Sequence, residues 1–343
     1  MDTPSKRHEA AASAKAAETP RASRGLDAMA FVDSHTEGEP TRVVLGEGLG
    51  LEPGSVGSYR AQLAARCPNL RAAMLDEPRG YPALVGALLL PPEQPGRRAA
   101  VMFLNNVGEL PMCVHASIGV AHTLVHLGRM PAGPWTEPFV LETAAGEVSL
   151  RLERGGYVAV GNVPAYRLHA GVELDTRWGR VRGDVAWGGN WFFIVEDPPV
   201  PVEPDRIEVL DALTKQLRSA LVDAGICGAE GAEIDHIQLC GPSEHGDARN
   251  FVMCPGGEHD RSACGTGTSA RLACLHADGR LKVGQRWRQE SITGTYFIGE
   301  IQAASGGRVS PVIRGRAWIS AEGRLLFADD DPFAPRPGRA ERS

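Results

Sequence analysis

Apolar residues along this chain fall mostly in short runs closed off by glycine and proline. RVVLG (42–46), GALLLPP (86–92), AAVMFLNN (99–106), FVLET (139–143), VSLRLE (148–153), YVAVGNVP (157–164), NWFFIVE (190–196) and RVSPVIRGRAWI (308–319) have the length and β-branched content of strands between turns. Three longer stretches, 111–128, 204–225 and 264–279, instead place apolar residues at helical spacing. Many strands with few, well-separated helices predict an α+β protein.

The pattern also repeats. Set over one another without gaps, Cys113 and Cys264 are each followed by small or hydroxyl residues, a helical stretch and then Gly-Arg, at Gly128-Arg129 and Gly279-Arg280. Each half then carries Glu-x-x-x-Gly, from Glu142 to Gly146 and from Glu290 to Gly294. The parallel predicts two similar halves, each with a cysteine where a helix begins, and a site between them. The first half is expected at 28–165, completed by a strand at about 315–328, and the second at 166–314. Polar, charged ends at 1–27 and 329–343 read as a disordered tail and a flexible tail.

Composition narrows the class. At 43% hydrophobic and 23% charged, the 343 residues have the balance of a soluble globular protein. A net charge of -6 leaves no basic footprint for nucleic acid, and no apolar run approaches the roughly 20 residues that span a bilayer. The seven cysteines are odd in number and widely spaced, and the first residues lack the apolar centre of an export signal. Reduced thiols in the cytoplasm are therefore expected.

A cysteine at a helix start meets unpaired N–H groups and the positive end of the helix dipole, which should lower its pKa. The same N–H groups can bind a carboxylate. Two such starts facing each other would hold one amino-acid carboxylate with a sulfur on either face of its α-carbon. A thiolate could then remove the α-proton while the opposite thiol delivers another, and fixed N–H donors would stabilise the charge building on the carboxylate. The ordinary reading of a lone cysteine is a small buried hydrophobe, and it is the one adopted for Cys67, Cys227, Cys240, Cys254 and Cys274. A pyridoxal route would need a lysine beside a phosphate-binding glycine loop. None of Lys6, Lys15, Lys215 and Lys282 has one, so no cofactor is expected.

DSHTEGEPTRVV, EPRG, MCVHASIG, WGGNWF, IDHIQL and above all DRSACGTGTSARLA, in that order from Asp33 onward, resemble the proline racemase family. That family includes 4-hydroxyproline epimerases and trans-3-hydroxyproline dehydratases. The resemblance implies the diaminopimelate epimerase-like fold, two pseudo-symmetric halves each wrapping a barrel-like sheet around a central helix. It puts Cys113 and Cys264 on the catalytic positions. Val114, His115, Gly265 and Thr266 fall where backbone N–H groups bind the substrate carboxylate, and Asp260 and His236 where the substrate amine is contacted. Asp260 could otherwise be a capping residue, and His236 a satisfied core histidine. Cysteine at both positions favours an epimerase or racemase over a dehydratase, in which one of the two is commonly Ser or Thr. MCVHASIG departs from the family's common MCGHGTIG, with Val114 in place of a glycine beside the substrate, and Tyr81 stands where histidine is more usual.

The expected activity is thus cofactor-independent epimerisation of a proline-type amino acid. Family frequency favours 4-hydroxyproline, with proline racemase or trans-3-hydroxy-L-proline dehydratase as alternatives. The expected partner is a small cyclic amino acid, with no metal, nucleic acid or membrane, and a homodimer left open. Two readings lie further off. His122 and His126, four apart on one helix, could hold zinc, but HTLVH lacks the glutamate of His-Glu-x-x-His. A non-catalytic amino-acid binding protein would keep the fold without the chemistry.

Overall fold

The computed structural model describes residues 28–135, 137–328, 331–333 and 337. The tail expected at 1–27 and most of that expected at 329–343 lie outside the described residues.

The first part of the chain forms β1 (Ala28–Thr36), β2 (Glu39–Leu45), β3 (Val85–Leu90), β4 (Ala99–Leu104), the short β5 (Glu109–Leu110), β6 (Phe139–Thr143), β7 (Gly146–Leu152) and β8 (Val158–Gly161). Between β2 and β3 lie α1 (Val56–Arg66) and α2 (Leu70–Leu75), and between β5 and β6 lies α3 (Val114–His126). The rest forms β9 (Tyr166–Thr176), β10 (Gly179–Trp187), β11 (Trp191–Val195), β12 (His236–Gly241), β13 (Ala248–Met253), β14 (Arg286–Ser291), β15 (Tyr296–Ser305), β16 (Arg308–Gly315) and β17 (Ala317–Leu326). There α4 (Ile207–Asp223) precedes β12 and α5 (Gly265–Ala277) precedes β14.

The two parts pair by the same rule. From β1 through β2, β3, β4, β6 and β7 to β8, successive pairings run antiparallel, parallel, antiparallel, parallel, antiparallel, antiparallel. From β10 through β11, β12, β13, β14 and β15 to β16, the series is identical. The outer strands complete the correspondence, because β17 pairs antiparallel with β1 as β9 does with β10. β8 and β16 pair antiparallel and join everything into one sheet. The fold is α+β, with α3 enclosed by the first set of strands and α5 by the second.

Both enclosed helices are buried all round, which explains why neither has a broad polar face. Val114 to Ala121 of α3 and Gly265 to Leu275 of α5 are all buried. α1 and α2 pack instead on the outside of the first sheet, around Tyr59, Met74 and Leu88. α4 lies outside the second, its Leu210, Leu213, Leu217 and Leu221 stripe facing Ile237 and Phe251.

The helix ends repeat as well. Gly128 (φ 67°) and Gly279 (φ 72°) both turn left-handed. Arg129 N–H then bonds back to the Leu124 carbonyl, and Arg280 N–H to Leu275, the same offset in each helix.

Candidate active site

The two helices start at one cleft. Its lining includes Cys113, Val114 and His115 from the start of α3, and Cys264, Gly265 and Thr266 from the start of α5. Asp260 and His236 line it too, so every residue singled out in the sequence for carboxylate, amine or proton chemistry is brought to the same place. Cys113 and Cys264 are 5% and 4% exposed. Between these walls lies a cavity of about 40 Å³.

Each cysteine is the residue just outside its helix. Cys113 is extended (φ -143°), and its sulfur accepts from the Ala116 N–H at 3.4 Å. Cys264 has φ 51°, a left-handed conformation that a non-glycine side chain adopts only under strain and that persists where the surroundings enforce it. The enforcement is visible. Ser262 Oγ accepts from the Cys264 N–H at 3.2 Å, and the Ala263 carbonyl just before it accepts from Asn250 Nδ2 and Thr268 Oγ1, both at 2.9 Å. The first N–H groups of each helix, at Val114 and His115 and at Gly265 and Thr266, have no partner within the helix, and all four residues line the cleft.

Burial reverses one expectation. A helix start should lower a thiol pKa, yet both thiols are raised. Loss of solvent is the largest cause in each, and the charge of Asp260 adds to it. At Cys113 the Ala116 N–H opposes this without overcoming it, and Glu39 pushes the same way as Asp260. Enclosure of the helix start costs the thiolate its water, and that cost outweighs what the helix N–H groups return.

Each thiol has a group beside it able to take its proton. The Cys113 sulfur lies 3.2 Å from Nδ1 of His115, a ring that burial holds below the usual imidazole range. Asp260 lies close enough to Cys264 for its charge to raise the thiol. One Asp260 oxygen already accepts from both the N–H and the Oγ of Ser262 at 2.8 Å, which fixes the carboxylate. Asp260 thus anchors the turn before α5 while also lining the cleft. His236 is 3% exposed, with its ring 4.6 Å from that of Phe192 and Nδ1 2.6 Å from Asp235 Oδ1. It too is a partnered histidine at the cleft wall.

Three further residues enter that the sequence reading did not single out. Glu39, at the start of β2, is buried and lines the cleft. Its Oε2 accepts from the Arg261 N–H at 2.7 Å, while enclosure and the neighbouring Asp260 raise its carboxyl well above the usual range. Asn190, from WGGNWF, donates from Nδ2 to the Met112 carbonyl at 2.8 Å and to Thr266 Oγ1 at 3.2 Å, so one amide spans both cysteine-bearing turns. Its Oδ1 is buried without a protein partner, a costly state that a ligand can relieve. Cys254, read as a plain core cysteine, lies instead in the cleft lining. Tyr81 sits outside it, 46% exposed, with its neighbours Pro82 and Ala83 in the wall. The zinc reading loses its geometry: His122 bonds to the Gly156 carbonyl at 2.9 Å and His126 to Glu322 at 2.6 Å.

Two thiols at two helix starts in one cleft, each beside a base, define an amino-acid racemase or epimerase class of site. The family model described as proline racemase matches residues 31–336, and the chain belongs to the proline racemase family. A 4-hydroxyproline 2-epimerase of Pseudomonas aeruginosa is 49% identical over 308 residues, covering 89% of this chain and 97% of that protein. One of Xanthomonas campestris is 49% identical over 306 residues, covering 88% and 96%. Among solved structures, a hydroxyproline epimerase from Agrobacterium vitis with bound trans-4-hydroxy-L-proline matches with a TM-score of 0.80 at 27% identity, covering 90% of this chain and 94% of that one.

Proposed function

We propose that this isomerase interconverts trans-4-hydroxy-L-proline and cis-4-hydroxy-D-proline, with Cys113 and Cys264 as the acid and base on opposite faces of the α-carbon. The observation that carries the reading is the meeting of the two helix starts: two buried thiols and the first residues of both helices line one cleft.

The substrate carboxylate takes the N–H groups of Val114, His115, Gly265 and Thr266, replacing water with fixed donors. Asp260 holds the ring ammonium, with His236 and the unpartnered Asn190 Oδ1 as further acceptors. The ammonium's positive charge offsets the carboxylates that raise both thiols, so binding itself favours ionisation of one of them. For Cys113 the proton passes to His115. A buried neutral imidazole has one N–H, which the Pro40 carbonyl can accept, leaving a lone pair for the sulfur's proton. For Cys264 the acceptor is Asp260.

The thiolate then removes the α-proton, and the opposite thiol protonates the other face. The bond to hydrogen broken on one face is replaced on the other, and no electrons are gained or lost. Val85, Leu110, Met112 and Pro255, with Cys254 among them, supply apolar surface for the ring carbons. We also propose that the halves divide as 28–165 with the returning β17, and 166–314.

The test is the purified protein with trans-4-hydroxy-L-proline in D₂O, followed by NMR. The expected product is the cis-D epimer carrying deuterium at the α-carbon. A Δ1-pyrroline carboxylate product would show a dehydratase instead, and binding without deuterium uptake would show a binding protein.

A further inference from the structure

Val114, at the start of α3, lies against Gly265, at the start of α5. A β-carbon built on Gly265 would lie 2.4 Å from Val114 Cβ and 2.5 Å from its Cγ1, far inside the roughly 3.5–4.0 Å at which carbon atoms pack. The valine side chain therefore already occupies the space over Gly265 and leaves no room there for a side chain. Both residues are buried and both line the cleft. Each is the first residue of its helix, so each carries the first N–H of its helix, a donor that the proposed function assigns to the substrate carboxylate.

We propose that Val114 and Gly265 form a single steric couple that sets the spacing between the two carboxylate-binding helix starts, with Val114 as the positioning residue. The role in substrate binding rests on the epimerase reading above; the steric couple rests on the contact alone. Because the valine bears on backbone, a change of volume on either side moves a donor N–H and the cysteine next to it. Displacement of a reacting group by about 1 Å costs on the order of 100-fold in rate, so the couple acts on turnover although neither side chain takes part in proton transfer. Neighbouring contacts leave little slack. A β-carbon on Gly188 would lie 2.1 Å from the Thr266 carbonyl oxygen, and one on Gly189 2.9 Å from Met112 Cβ, so both turns are also held from behind.

The experiment is a volume swap in the full chain: Gly265→Ala, Val114→Gly and the double variant, each measured for kcat, KM and thermal unfolding. Gly265→Ala is expected to lose about 100-fold in kcat/KM and to unfold at lower temperature. Val114→Gly, which loosens the contact without a clash, should raise KM by about tenfold, the scale of small volume changes in a fitted site, with a smaller change in kcat. Val114→Gly/Gly265→Ala, which returns one methyl from the other side, should recover kcat/KM to within about tenfold of the wild type and restore the unfolding temperature.

A harmless Gly265→Ala, or a double variant no better than Gly265→Ala, overturns the couple. If Gly265→Ala does not fold, the double variant must fold and turn over, or the proposal is lost. If the wild-type protein epimerises nothing, the substrate reading falls while recovery of the unfolding temperature still reports on the couple by itself.

Discussion

Enclosure first, and the charge of Asp260 after it, raise the Cys113 and Cys264 thiols and disfavour a thiolate at either. A site that needs one thiolate and one thiol must therefore gain activity as pH rises into the range where one sulfur ionises, and lose it only when the second follows. We expect kcat/KM to climb with pH across neutrality towards the alkaline side, with a slope near one on the acid limb. Asp260→Asn removes a charge that raises both sulfurs, so its acid limb should move to lower pH while KM rises from loss of the ammonium partner. An acid limb that stays in place would remove Asp260 from the electrostatics. Cys113→Ala and Cys264→Ala should each abolish epimerisation, a loss of at least about 1,000-fold given the usual worth of a positioned proton donor or acceptor, with the fold kept. Full activity in either would end the two-thiol scheme. Glu39 carries a different pH signature. Its carboxyl is raised well above 4.5, so above that value the unfolded chain releases a proton that the folded one keeps, and stability falls as pH rises through the folded pKa. Glu39→Gln should abolish this loss, and its gain in unfolding temperature over the wild type should be larger at about pH 8 than at about pH 5. Equal gains at both would mean the carboxyl is not held neutral.

At the scale of elements, α3 and α5 were legible because each combines a helical apolar repeat with a glycine stop. The same two stops separate structure from chemistry. Gly128 and Gly279 have positive φ and nothing within 4 Å of a built β-carbon, so alanine there meets backbone strain alone. Gly128→Ala and Gly279→Ala should each cost about 1 kcal/mol in stability and leave kcat unchanged. Gly188→Ala, whose β-carbon would strike the Thr266 carbonyl and the Ala270 nitrogen, should displace the start of α5 and cost activity steeply. Activity measured on all three separates helix ends that terminate from turns that position. Other elements were silent in the pattern. α1 buries only Val56, Tyr59 and Leu63, a stripe too thin to stand out. On β9 and β10, Leu174, Val181 and Val185 pack in the cluster beneath α4 while Glu173, Arg180 and Arg182 lie on the opposite face, so neither strand reads as an apolar run. The site divides the same way. Cys113, Cys264 and Asp260 sit in a short motif or at matched helix starts and can be read locally. Glu39, Asn190 and Cys254 come from three distant segments, and in the linear sequence a buried carboxylate, an asparagine and a cysteine carry no sign that folding will bring them to one cleft.

For the whole molecule, the repeated strand order places the two chemical ends of the site on different halves, and the cleft is the seam. Bonds cross it at several depths: Asn190 to Met112, Glu39 to the Arg261 N–H, and Asn105 Nδ2 to the Pro255 carbonyl at 3.3 Å. Because Cys113 and Cys264 in this seam are almost wholly buried, we expect substrate to reach them through an opening of these contacts. Thiol chemistry reports that opening. Cys67 and Cys227 are partly exposed, whereas Cys113 and Cys264 are buried. Iodoacetamide should therefore alkylate Cys227 well before either cleft-bottom thiol, at a rate for the latter set by how often the seam opens. Pyrrole-2-carboxylate, planar at the carbon that inverts, should bind as a mimic of the deprotonated substrate. At about 100 times its dissociation constant it should add about 2.7 kcal/mol of stability and protect Cys113 and Cys264 while leaving Cys227 reactive. Alkylation of the two buried thiols as fast as Cys227, indifferent to the ligand, would mean that the seam stands open in solution and that closure plays no part in assembling the site.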